Sequence, residues 1–139
     1  VSEQGRVVEA GAMFESAVAA MRDLGEFDNP RLLRSRLAWG ANLRKLGRFR
    51  EARTVLDEAL SLARAKLDPG HMRIAEAEVE LARLDLAASG TEARSSAAVA
   101  SARTRVAAAE AIAATKRPSP AFARNLAAAK AELARSGGR

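Results

Sequence analysis

Gly47-Arg48-Phe49-Arg50-Glu51-Ala52 repeats Gly5-Arg6-Val7-Val8-Glu9-Ala10, forty-two positions upstream. The correspondence continues from there. Phe14, Ala17 and Val18 fall on Leu56, Ala59 and Leu60; Arg22 falls on Arg64; and Pro30-Arg31-Leu32 falls on Met72-Arg73-Ile74. A fixed period of this size is the signature of a helical repeat array, in which each unit buries its apolar face only against its neighbours. Such an array ordinarily presents a surface and does not enclose a reaction centre.

Outward from the repeat, the sequence reads as all-α. Apolar residues make up 48% of the 139-residue chain but aromatics only 4%, so alanine must supply much of the interior. Alanine favours helix and close packing, while each side chain buries little area. No stretch alternates with period two. The spacing predicts a first helix from about Glu3 to Leu24, striped by Val7, Gly11, Phe14, Val18 and Met21, and stopped by Gly25. Asn29 is placed to cap a second helix with Pro30 at its first position. That helix runs to about Leu46 through Leu33, Leu37, Gly40, Leu43 and Leu46, with Trp39 beside the stripe. A third helix spans about Phe49 to Leu67 and a fourth about Met72 to Ala88, separated by Asp68-Pro69-Gly70-His71. Beyond Gly90 the period drifts. A long fifth helix is expected from Glu92 to about Lys116, then a sixth carrying Phe122, Leu126, Ala129 and Leu133, with a fraying tail from Ser136.

The pattern Trp39-Gly40-x-x-Leu43-x-x-x-Gly47-x-Phe49-x-Glu51-Ala52-x-x-x-Leu56-x-x-Ala59-Leu60 resembles the tetratricopeptide repeat. Gly40, Ala52 and Ala59 would let two helix axes approach, with Leu43, Phe49 and Leu56 filling the crossing. The usual period of that family is about 34 residues. Forty-two resembles the variant of kinesin light chains and many bacterial signalling proteins, whose Gly-x-Asp-His-Pro linker is similar to Asp68-Pro69-Gly70-His71-Met72. The resemblance implies a right-handed α-α superhelix of about six antiparallel helices. Its parts would be one domain over 1–135, with a half repeat at 3–24, a repeat at 30–67, a degenerate repeat at 72–116, a terminal helix at 119–135, and a flexible tail at 136–139. With Gly5 at a turn position, the register begins on a second-type helix, and the chain opens on Val1; both point to a longer parent with repeats upstream.

The resemblance also implies a function: an adaptor or scaffold segment of a bacterial signalling or regulatory protein. It would bind a peptide or partner domain on a concave face lined by first-type helices. The corresponding groove residues are Arg34, Leu37, Ala41, Arg44 and Lys45, then Glu76, Glu80 and Arg83, with Arg124 and Lys130 from the last helix. Arg34, Arg44 and Lys45 suit an acidic peptide through charge-assisted hydrogen bonds, although long basic side chains on a solvated face are the ordinary alternative. A homo-oligomerisation module, a homodimer in the simplest case, is the competing reading. Arg94, Arg103, Arg105, Lys116 and Arg117 offer a weaker nucleic-acid alternative, since phosphate binding needs a basic stripe and base stacking needs aromatics that are missing.

Other chemistry finds little support. There is no cysteine, and His71, the single histidine, sits at a helix-capping position. Glu76 and Glu80 form an i,i+4 pair expected on an exposed face, with Glu78 pointing elsewhere, so no carboxylate is expected to be held dry. Ser2-Glu3-Gln4-Gly5 and Ser89-Gly90-Thr91 are too short for phosphate loops. Neither a catalytic site nor a cofactor nor a metal is expected, and any enzymatic domain would belong to the parent. No apolar run approaches the roughly 20 residues that span a bilayer, so no membrane partner is expected; a cytoplasmic location is what the resemblance implies. The net charge of +6 is dispersed among acidic residues and forms no unbroken block.

Overall fold

In the computed structural model, which describes residues 3–25, 29–88 and 96–137, every regular element is helical. The order is α1 (Glu3–Asp23), a 3-10 turn (Pro30–Leu32), α2 (Leu33–Lys45), α3 (Phe49–Lys66), α4 (Met72–Ala88), α5 (Ser96–Ala113) and α6 (Pro120–Gly137). None of the described helices is long and apolar enough to cross a membrane.

The helix boundaries follow local chemistry. Asn29 accepts a hydrogen bond from the Arg31 backbone N–H through its side chain, ahead of Pro30. The turns after α1 and α2 are closed by Gly25 and Gly47, both at positive φ, where an L side chain is strained. His71 caps α4, its Nδ1 accepting from the Arg73 N–H at 3.0 Å. Ser119 does the same for α6 through the Phe122 N–H. Gly5 differs from Gly47: it lies inside α1, so the repeat in sequence is not matched by a turn there. The predicted start of α5 at Glu92 lies outside the described residues. Its C-terminus comes earlier than expected, because Ala114 and Thr115 already form a turn. Helix α6 reaches Gly137, with Ser136 Oγ donating to the Glu132 carbonyl.

Packing is organised around α4. It contacts α2, α3, α5 and α6, whereas α1 touches only α2 among the described helices. Two apolar clusters share α4 as a wall. Ile74, Ala77, Leu81 and Leu84 join α2 and α3; Ala75, Val79, Ala82 and Leu86 join α5 and α6. The tightest approach is between α2 and α3. A Cβ placed on Gly40 would lie 2.3 Å from Leu56 Cδ2, and Leu43, Ala52, Leu56 and Ala59 are completely buried around that crossing. Trp39 and Phe49 close its edges, half-buried against the same cluster. Helix α4 thus has almost no solvent side, which accounts for one difference from expectation. The sequence spacing predicts one inward stripe of Ile74, Ala75, Val79, Ala82 and Leu86, yet Ala77, Glu78, Leu81, Leu84 and Asp85 are buried as well.

Candidate functional site

Residues seven apart on a helix return to the same side, and residues two apart point in nearly opposite directions. Glu78 and Asp85 therefore share one side of α4, while Glu76, Glu80 and Arg83 share the other. The contacts agree. Glu78 and Asp85 meet side chains of α3 and α5, and Glu80 and Arg83 meet side chains of α2 and α6. Helices α2, α4 and α6 thus form one row, and α3 and α5 lie behind it.

On the row side, Arg83 grips Glu132 through Nε and Nη2, at 3.2 and 3.0 Å, and donates from Nη1 to Asn125 Oδ1 at 2.7 Å. Asn125 Nδ2 in turn donates to Glu80 Oε2 at 2.8 Å. Arg44 of α2 stands 3.9 Å from Glu80 Oε1, close enough for charge attraction but too far for a hydrogen bond. Of the predicted groove residues, then, Arg44, Glu80 and Arg83 are brought together, and Asn125 and Glu132 join them. The expectation that Glu80 is exposed is corrected, because α2 and α6 close over it from both sides. Burial raises its carboxyl above the ordinary range, against the opposing pull of Arg44, Asn125, Arg83 and Lys45. The Arg44 guanidinium is lowered, first by burial and then by the nearby Arg83.

This has a sign that can be measured. Because the folded chain holds the Glu80 proton more firmly than the unfolded chain, stability falls as pH rises from the ordinary carboxylate range through the raised folded value. Glu80→Gln should accordingly be more stable than wild type at neutral pH, with the advantage vanishing in acid. Urea unfolding at the two pH values checks this; a weaker variant at neutral pH would mean that attraction to Arg44 outweighs the cost of burial.

The remaining predicted positions divide. Arg34 and Lys45 are exposed on α2, and Ala41 is half-buried between them. Leu37 is not a groove residue: it is 6% exposed and packs in the α2–α3–α4 cluster, one helical turn from Leu33 on the core stripe. Glu76 pairs with Arg73 one turn back on α4. Lys130 points towards α5, where it meets Glu110 at 2.8 Å. Arg124 is exposed on α6.

On the far side of α4, Glu78 and Asp85 are 4% and 7% exposed. Arg105 of α5 spans both, with Nη1 at 2.8 Å from Glu78 Oε1 and Nε at 3.3 Å from Asp85 Oδ2. Helix α3 supplies Arg64 to Glu78 at 2.9 Å and Arg53 to Asp85 at 2.6 Å, and Ser101 donates to Asp85 at 2.7 Å. Every carboxylate oxygen in this pair of sites has a donor, so the network ties three helices together. It also removes Arg105 from the basic stripe considered for nucleic acid, and Arg94 lies outside the described residues. Arg36, buried beside Trp39 and bonded to Glu58 at 3.2 Å, is a further interior charge with no signature in the sequence pattern.

A groove of about 590 Å³ opens between α1 and α2, lined by Arg6, Val7, Ala10, Phe14, Ala38, Ala41, Asn42 and Lys45. Asn42 secures its wall, donating from Nδ2 to the Val7 carbonyl at 3.0 Å. Gly11 allows the approach, since a Cβ there would meet Asn42 Oδ1 at 3.0 Å. Neither the protein-family models, nor the curated proteins, nor the solved structures compared with the chain yield a match.

Proposed function

We propose that the chain is a tetratricopeptide-type interaction segment whose α2–α4–α6 row, extended by α1, binds another polypeptide or a neighbouring domain of a larger protein. One observation carries the reading, namely the two-sidedness of α4. Alternate helices stand in one row, linked by polar side chains between them, and the intervening helices brace them from behind. That is the division of labour expected of a repeat array in which one helix of each unit provides contacts and the other provides scaffold. The close crossing of α2 and α3 at Gly40, with Ala52 and Ala59, supports the same assignment. The role in bacterial signalling and the cytoplasmic location remain part of the proposal and rest on the resemblance.

The test is selection from a random peptide library, followed by mapping of the selected peptides by NMR shift perturbation. Shifts are expected at Arg34, Ala38, Ala41, Lys45 and Glu76. Shifts confined to Thr54, Asp57 and Ser61 on α3 would place binding on the scaffold side and defeat the reading.

A second reading has its own support. Helix α1 exposes Met13 at 74% and Val8 at 53%, and the turn after it exposes Leu24 at 74%; exposed large apolar residues on an element with a single neighbour suit self-association. Light scattering of wild type and Met13→Glu decides it: a dimer that becomes a monomer in the variant favours oligomerisation.

A further inference from the structure

Residues two apart on α2 point in nearly opposite directions, so Arg36 and Trp39 face away from Ala38 and Ala41 of the row groove. Helix α1 packs on α2 alone among the described helices, and between its last turn and α3 lies a cleft of about 220 Å³. Trp39 and Val55 line it, and the charged groups around them are sorted by helix. Among the described lining residues, α1 and α2 contribute the guanidinium groups of Arg22 and Arg36, and α3 contributes the carboxylates of Glu51 and Glu58. Glu51 and Glu58 are seven apart and so share one side of α3. Arg36 is 1% exposed, with Nη2 donating to Glu58 Oε2 at 3.2 Å, which fixes a cation at the edge of the core. Glu58 keeps its other oxygen, Oε1, without a donor among the described residues. The Trp39 indole N–H is buried and has no acceptor among them, although buried donors are ordinarily satisfied. The residues around the cleft thus include an unmet donor and an unmet acceptor, beside an aromatic and aliphatic surface.

We propose that this cleft binds a small zwitterion, a free α-amino acid, with its carboxylate towards Arg22 and Arg36 and its ammonium group towards Glu58 and Glu51. A guanidinium fork matches a carboxylate in geometry and charge. An ammonium group beside Glu58 gains the indole ring of Trp39 as a second attraction. A ligand with one charge would satisfy one wall and desolvate the other without return. Size narrows the class further. A cavity of about 150 Å³ holds benzene, and drug-sized ligands occupy pockets of about 300–1,000 Å³. A cleft of about 220 Å³ therefore suits a single amino acid and is too small for a helix or a nucleotide. Bound there, the ligand bridges α1, α2 and α3 and stabilises the fold by mass action, most of all at α1, whose packing rests on α2.

Trp39 is the single tryptophan of a chain without tyrosine, so intrinsic fluorescence reports on this cleft directly. The melting temperature of the full chain is measured first with each of the common free L-amino acids. At least one should raise it saturably, and titration with that one should shift the Trp39 emission over the same concentration range; calorimetry serves instead where the ligand is tryptophan or tyrosine. Two analogues of the ligand, the acid lacking its amino group and the amine lacking its carboxylate, should each bind at least about ten-fold more weakly, as for loss of a charge-assisted contact. Arg22→Gln and Glu58→Gln, both at exposed positions, should weaken binding by a similar factor. Arg34→Gln and Lys45→Gln, on the opposite side of α2, should change it by less than about two-fold. Melting without ligand shows whether each variant is folded; if Glu58→Gln is not, Arg22→Gln decides alone. Absence of stabilisation by any amino acid, undiminished binding of a singly charged analogue, or equal losses with the Arg34 and Lys45 variants would overturn the proposal. None of these results bears on the row as a binding surface, which lies across α2 from the cleft.

Discussion

Gly40→Ala is expected to destabilise the chain by about 1 kcal/mol, and by up to about 2 where the crossing cannot relax, although alanine is the better helix former. Intrinsic propensity favours the change by about 1 kcal/mol. Against it, the new methyl would lie 2.3 Å from Leu56 Cδ2 and 2.5 Å from its Cγ, and overpacking of this kind costs about 1–3 kcal/mol. Leu56 cannot swing away, because it is fully buried between α2, α3 and α4. The helices must therefore separate, and with them the α2–α4 row. Thermal or urea unfolding measures the loss, and a double-mutant cycle identifies its origin. Leu56→Ala alone should cost about 2–5 kcal/mol, but adding Gly40→Ala to it should cost nothing further, since the space is then vacant. Simple additivity of the two changes would show that the crossing is looser than described.

The second large effect belongs to Arg105. Arg105→Leu keeps much of the packing volume but leaves Glu78 with Arg64 alone, and Asp85 with Arg53 and Ser101. Leaving a buried charge without a partner typically costs about 3–5 kcal/mol; here each carboxylate loses one donor and keeps another, so a loss at the lower end of that range is expected. The opposing carboxylates are almost inaccessible, so the loss should persist at high salt, unlike that of an exposed pair. The triple change Glu78→Leu, Asp85→Leu and Arg105→Leu should recover most of the stability: Arg53 and Arg64 are exposed enough to turn to solvent. If Arg105→Leu alone is as stable as wild type, the network is decorative.

These two positions mark the boundary of what could be read in advance. Gly40 stood out because its neighbours three residues away on either side, Leu37 and Leu43, are large and apolar, so a glycine between them signals a close approach. The caps at Asn29 and His71 and the stop at Gly47 were legible for a similar reason, since they depend on residues one to three positions away. Glu78, Asp85 and Arg105 carried no such mark. In a linear pattern a charged residue opposite an apolar stripe looks solvated, and α4 departs from that rule only because α3 and α5 cover its second side. Glu80 was misread for the same cause, with α2 and α6 doing the covering. Leu37 shows the converse, a residue assigned to a surface that its own stripe draws into the core.

The sequence by itself determined that the chain is helical and where most of its helices start and stop, because these follow from hydrogen bonds and periodicities within a few residues. The tertiary structure alone decided that α4 is enclosed on both sides, that the charges at the α4–α6 end of the row are already matched, and that Arg22, Arg36, Glu51 and Glu58 meet around Trp39. Such outcomes depend on which side chains meet across helices dozens of residues apart, and the energy of a charge depends on that company.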